Sequence, residues 1–319
     1  MEKGYSYGSR ASEHRSRRNR RRLVLLAILL FAVGCIIFIS IKVSGSKPPG
    51  QTQEVAKKTN SVSNDSPKVT AKTDSKGNAA IPKDEPGVED GAFVEKYLKQ
   101  QMLGQMPDGA DGKKVAYLSF DDGPSVTVTP QILDILKKQK VKATFFIVGK
   151  EANENEHTRN LIKRIVKEGH AIGNHTYSHN YKYLYPNRKV NTAHVMQDIE
   201  RNNQVLKSIL GPDFSTRMIR FPGGHMTWKR RDPQGMAALD KVLLQKDYHQ
   251  VDWNVLNKDA EGAPKKAAGL INQFMRSLKD REKAVILMHD TYGKEETAKA
   301  LPVIIEYLKK QGYEFKVMK

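Results

Sequence analysis

Two aspartates stand side by side in Ser119-Phe120-Asp121-Asp122-Gly123-Pro124-Ser125, at the end of an apolar run. Adjacent like charges repel, so a chain that keeps both has either a turn that exposes them or a separate use for each. Asp, Gly and Pro are turn formers, and a bare Asp-Asp-Gly-Pro satisfies a turn. The chemical alternative is a division of labour, in which one carboxylate ligates a metal and the other takes a proton. Further on, His175 and His179 are spaced i, i+4. On a helical turn that spacing points both rings the same way, as zinc sites use, although two structurally satisfied histidines fit it equally well. An Asp-His-His set has three protein ligands and an open position for water, the arrangement of a catalytic metal rather than a structural one. Arg220-Phe221-Pro222-Gly223-Gly224 reads either as a turn or as a place where backbone N–H groups approach a substrate, as an oxyanion hole requires. Asp252-Trp253 and His289-Asp290 complete the chemically capable pairs, each also compatible with a packing role.

These residues need elements to hold them. Apolar runs predict strands over 115–120, 143–148, 171–174, 218–221, 248–253, 285–289 and 313–318. Helical patterns predict a leading helix over 91–104 and then helices over 130–140, 158–167, 193–210, 233–245, 264–278 and 297–311. Such βα alternation implies an α/β fold with a parallel sheet, open or closed into a barrel. In either case the ligand site lies beyond the C-terminal ends of the strands. The chemically capable residues fall at the ends of five of the first six expected strands, which packing alone does not require.

The ordered set SFDDGP, HTYSH, RFPGG, DW and LMHD resembles the five motifs of NodB-type polysaccharide deacetylases, carbohydrate esterase family 4. ATFFIVG (143–149) and EGHAIGNH (168–175) resemble that family's second and third strands, so the likeness covers about residues 113–319 without permutation. It implies a distorted, incomplete (β/α) barrel and a hydrolase that removes acetyl groups from amino sugars. It implies that Asp122, His175 and His179 hold one divalent metal, usually zinc. Asp121 is then the general base and His289 the general acid, with Arg220 holding Asp121 and Asp252 orienting His289 and tuning its pKa. Pro222 and Gly223 belong to the substrate-binding motif, Gly223 giving a backbone N–H to the oxyanion. Trp253 and Leu287 line the slot for the acetyl methyl. Two departures stand out: Gly223 replaces a common aromatic, and His249 stands where many members have another acid. Both bear on which sugar fits.

The front of the chain has another character. Residues 23–41 carry no charge and as a helix span about 28 Å, roughly a bilayer's hydrocarbon core. Arg15, Arg17, Arg18, Arg20, Arg21 and Arg22 precede them, so the positive-inside rule leaves 1–22 in the cytoplasm and the rest outside the membrane. Cleavage after Gly45 is the competing reading, although a signal core is usually only about 7–15 residues. Residues 42–89 are rich in Ser, Lys, Thr, Pro and Asn and too poor in large apolar side chains to fold, so they read as a disordered linker. Cys35 is the only cysteine and lies in the apolar span, which excludes a disulfide or thiolate site in the exported part. Of the net charge of +19, the tail holds +6 and the linker +2, leaving +11 on residues 90–319. An exported basic domain has little occasion to meet nucleic acid, whereas a polyanionic wall attracts it.

The expected protein is a single-pass membrane enzyme with an extracytoplasmic catalytic domain. Its expected substrate is N-acetylglucosamine in cell-wall glycan, most directly peptidoglycan; an amino sugar in a wall-linked polysaccharide or its linkage unit is the alternative. A metal-dependent phosphatase requires further carboxylates for a second metal, and a non-catalytic wall-binding module predicts decayed motifs.

Overall fold

The computed structural model describes residues 85–319. The expected tail (1–22), apolar span (23–41) and most of the linker (42–89) therefore lie outside the described residues. Among the described residues no helix is long and apolar enough to cross a membrane. The last linker residues differ from expectation: Val88–Glu89 form a strand, β1, paired in parallel with Val317–Met318.

After β1 come α1 (Gly91–Met102), β2 (Val115–Asp121), α2 (Thr129–Gln139), β3 (Thr144–Ile147), α3 (Gly149–Ala152) and α4 (Glu156–Lys167). Next are β4 (Ala171–Asn174), α5 (Tyr181–Leu184), α6 (Thr192–Leu210), β5 (Met218–Ile219), α7 (His225–Arg231) and α8 (Pro233–Gln245). The chain ends with β6 (His249–Gln250), β7 (Val255–Leu256), α9 (Ala267–Leu278), β8 (Lys283–His289), α10 (Glu295–Lys310), β9 (Glu314–Phe315) and β10 (Val317–Met318). The main sheet is parallel throughout and runs β6-β5-β4-β3-β2-β8-β7, with β9 also pairing β2. Its two edges, β6 and β7, are consecutive in sequence and do not pair with each other, so the sheet is a curled, incomplete barrel wrapped by helices.

Two corrections to the expected elements matter for the site. The strand expected over 248–253 is only two residues long, and a second short strand, β7, follows it. The run after Gly224, where no helix was expected, forms α7.

The alternation of β2 sorts its side chains. Ala116, Leu118 and Phe120 pack outward against the helices with Ile132, Leu133 and Leu136 of α2 and Ile304 and Leu308 of α10. Val115 and Tyr117 point to the other face and join Phe146, Met218, Val251 and Val285, with Val94 and Leu98 of α1 in the same cluster. Each fully buried aliphatic or Phe side chain contributes about 1.5–3 kcal/mol over its exposed state. The inner face continues to Ser119 and Asp121, where apolar residues give way to polar ones. In β8 the same parity places Leu287 and His289 inside, and Asp121 and His289 are register partners across the β2–β8 ladder.

Candidate active site

The inner-face residues at the C-terminal ends of β2, β4, β5 and β8 converge. Arg220, directly after β5, is fully buried and gives Nη1 to Asp121 Oδ1 at 2.8 Å and to Ser119 Oγ at 2.7 Å. Its Nε donates to the Val251 carbonyl at 2.8 Å, and its guanidinium lies 4.0 Å from the centre of the Phe146 ring. Asp121 is thereby held on one oxygen, leaving Oδ2 3.9 Å from His175 Nε2.

The next residue turns the other way. Asp122 has φ 71, a left-handed conformation that few non-glycine residues adopt. Its Oδ1 lies 3.2 Å from both His175 Nε2 and His179 Nε2. One ligand atom from each of the three residues lies within 4.8 Å of the others, and Asp122 Oδ1 is buried without a hydrogen-bond partner. His175 Nδ1 is 2.7 Å from the Arg220 carbonyl, which can only accept. The proton of the neutral ring therefore sits on Nδ1, and the Nε2 lone pair faces Asp122. An orphaned carboxylate oxygen beside an imidazole fixed in the ligating tautomer fits a divalent cation. Burial alone raises the Asp122 carboxyl. The two imidazoles beside it, His175 and His179, with the charge of His289, override that and hold it well below the usual carboxylate range.

The His-x3-His spacing is not realised on a helical turn. Residues 175–180 are a loop, with Thr176 at φ 65 and His179 at φ 49. Helix α6 imposes that shape. Asn202 Nδ2 donates to the Asn174 side chain and to the Thr176 carbonyl, and Asp198 Oδ2 accepts from Ser178 N and Oγ at 2.8 Å each. Strained backbone of this kind persists only where the surroundings over-determine it, and such residues cluster at functional sites.

The expectation for Asp252 is corrected. Its two carboxylate oxygens accept the backbone N–H groups of His225 and Met226 at 2.7 and 2.8 Å, which fixes the start of α7 behind Gly223-Gly224. His289 is held by Asp259 instead: Nδ1 lies 2.8 Å from Oδ1, and the His289 backbone N–H donates to Oδ2 at 2.9 Å. Thr297 Oγ1 donates to Asp259 Oδ2 at 2.8 Å. Burial works against the charged His289 ring. The hydrogen bond and charge of Asp259, with the charges of Asp122 and Asp121, prevail and raise its pKa to about 9. Burial likewise opposes ionisation of Asp259, but His289 and Thr297 keep it below the ordinary range.

The remaining expected residues gather at the rim. Leu287 is buried two residues before His289, in register with Ser119 and Leu256. The Pro222 carbonyl accepts the Trp228 indole N–H at 2.8 Å. Gly223 is exposed, and its N–H has no hydrogen-bond partner among the described residues. Trp253 is half-buried against the inner cluster, its Cη2 2.9 Å from where a Gly224 Cβ would stand.

A sequence profile described as polysaccharide deacetylase matches residues 108–237. A Bacillus cereus protein named peptidoglycan-N-acetylglucosamine deacetylase is 31% identical over 212 residues, 64% of this chain and 86% of that one. The chain belongs to the polysaccharide deacetylase family. It is a hydrolase acting on amide bonds. A second Bacillus cereus protein of the same name is 35% identical over 70% of this chain and 72% of its own length. Among solved structures, a Streptococcus mutans CE4 esterase is 36% identical with a TM-score of 0.62, covering 73% of the deacetylase and 97% of that chain. The catalytic domain of a Eubacterium rectale peptidoglycan N-acetylglucosamine deacetylase gives 30% and 0.57, over 66% and 90%.

Three residues of the deacetylase site escaped the sequence reading. Ser119 passes Arg220's hydrogen bond on to the Ile286 carbonyl at 2.8 Å. Thr297 fixes Asp259, and Asp259 itself follows β7 by three residues. Recognising β7 as a strand would have made Asp259 a strand-end acid like the others.

Proposed function

We propose that this deacetylase hydrolyses the acetamido group of N-acetylglucosamine in bacterial cell-wall glycan, with peptidoglycan as substrate and zinc as its metal. The observation that carries the reading is the juxtaposition of five side chains. The Asp122-His175-His179 cluster is flanked on one side by an Arg-held carboxylate, Asp121, and on the other by an Asp-held imidazole, His289. The names of the Bacillus cereus and Eubacterium rectale relatives support the substrate class.

A divalent cation on Asp122, His175 and His179 would lower the pKa of water and polarise the acetyl carbonyl. The chain's own residues do the rest. Asp121, with one oxygen fixed by Arg220, uses the other to accept a proton from the attacking water. The Gly223 N–H, which has no partner among the described residues, donates to the oxygen that gains charge. Removing such a donor elsewhere costs about 2.7–4 kcal/mol of barrier. His289, kept protonated by Asp259, gives its proton to the departing amine, since an amide nitrogen leaves only when protonated.

The expected setting follows from the sequence: residues 23–41 anchor the chain, and the linker carries the enzyme to the wall. Full-length protein in detergent, loaded with zinc, is incubated with purified peptidoglycan while free amines and acetate are measured. Equal release of both supports the reading. Acetate from a wall-linked polysaccharide but not from peptidoglycan assigns the alternative glycan, and phosphate release without acetate overturns N-deacetylation.

A further inference from the structure

Gly223 and Gly224 both sit at φ +81, a conformation that L side chains rarely adopt. The space a side chain at 223 would enter is already taken. An ideal Cβ on Gly223 would stand 3.0 Å from Tyr181 Oη and 3.2 Å from Tyr181 Cε1. Tyr181 comes from a different loop, two residues past His179, at the start of α5. Its ring meets His179 edge-on at 5.5 Å and Tyr185 at 5.9 Å, and lies 6.1 Å from Trp228. Tyr185 and Trp228 stack at 3.7 Å behind it, and the Trp228 indole is tied to Pro222. Asn180 Oδ1 accepts the N–H groups of Lys182 and Tyr183, fixing the backbone from which Tyr181 projects. A rigidly backed ring is thus 43% exposed, and its hydroxyl has no hydrogen-bond partner among the described residues. It lies beside Gly223, whose N–H is equally unpartnered among the described residues. Packing does not account for an exposed aromatic with a free donor at this spot, whereas an aromatic with one apolar face and one polar tip suits a sugar.

We infer that Tyr181 is a specificity-determining, substrate-contacting residue: its ring forms the wall of the sugar subsite that a side chain at 223 would otherwise provide, and its hydroxyl donates a hydrogen bond to the bound N-acetylhexosamine. This rests on the N-deacetylase reading above. The contact is to the sugar in its ground state as well as its transition state, so it governs binding more than the chemical step.

The test uses full-length, zinc-loaded enzyme with N-acetylglucosamine oligomers, comparing wild type, Tyr181→Phe and Tyr181→Ala. Tyr181→Phe keeps the ring and should raise KM about three- to tenfold with kcat nearly unchanged, the range of one lost hydrogen bond. Tyr181→Ala should raise KM further and weaken oligomer binding by calorimetry to the same extent. Bound zinc and melting temperature of the Phe variant should match wild type, and the Ala variant should also keep its zinc, which a role of the ring in holding His179 would not allow. Unchanged KM and binding in both variants, or loss of zinc in Tyr181→Phe, overturns the inference. Wild type that releases no acetate from the oligomers, yet binds them in a Tyr181-dependent way, overturns the deacetylase reading instead.

Discussion

His289 Nδ1 lies 2.8 Å from Asp259 Oδ1, while the Asp252 carboxylate is engaged by two backbone N–H groups at the start of α7. His289, the proposed general acid, is therefore tuned from a loop rather than from the strand-end Asp252. Activity that needs protonated His289 is lost as pH rises through its raised pKa of about 9. Asp259→Asn removes the charge that favours the imidazolium, so the alkaline limb of kcat/KM should move to lower pH and kcat should fall. Asp252→Asn should lower activity evenly across pH by loosening the 223–226 loop and leave that limb in place. A pH–rate profile of both variants distinguishes them, and an alkaline limb moved only by Asp252→Asn would reverse the assignment.

The two neighbouring aspartates should fail in different ways. Asp122→Asn leaves two imidazoles and a weak amide, so bound zinc should drop and excess metal should restore part of the rate. Asp121→Asn keeps all three ligands and should retain zinc while losing about 10²–10⁴-fold in kcat, the usual share of a positioned base. Metal analysis beside kcat for each variant checks this, and zinc loss confined to Asp121→Asn would exchange the two roles.

Arg220 is fully buried and Asp121 nearly so. Removing one partner of such a pair strands the other charge, at a cost of about 3–5 kcal/mol. Arg220→Met, close in size and able to pack on Phe146, should lose stability of that order in urea unfolding and also lose activity. A variant as stable as wild type would mean that Asp121 finds another partner or is neutral.

The central barrel strands were legible because they depend on local pattern, and Asp122, His175 and His179, which the fold brings together, follow two of them, β2 and β4. The inner-face parity of Val115, Tyr117, Ser119 and Asp121 can be read from alternation alone. The failures lie where an element is too short to mark itself or where distant residues set a loop's shape. Strand β7 is two residues long and has no apolar run to mark it, so Asp259 looked like loop sequence. His175 and His179 were found as a pair, but the loop that joins them takes its shape from Asn202 and Asp198 on α6, which no local signal reveals. The glycine at 223 was visible as a departure, but the residue filling its space comes from another loop.

His170 provides a test of stability away from the chemistry. It is buried, and the Ala143 backbone N–H donates to its Nδ1 at 3.2 Å, which requires a lone pair there. Burial, aided by the positive charges of Lys142 and Arg164 and opposed by Glu168, lowers its pKa from 6.5 to about 4. The folded state thus binds fewer protons than the unfolded one between these values. Its contribution is fully present above about pH 6.5 and is lost as pH falls toward 4. At pH 5 the loss is about 2 kcal/mol relative to neutral pH. His170→Gln retains an acceptor but does not titrate, so it should be less stable than wild type at pH 7.5, with a gap that narrows by about that amount at pH 5. Urea unfolding of both proteins at the two pH values measures the gap directly; a gap that stays constant would show that His170 is not the residue that senses acid.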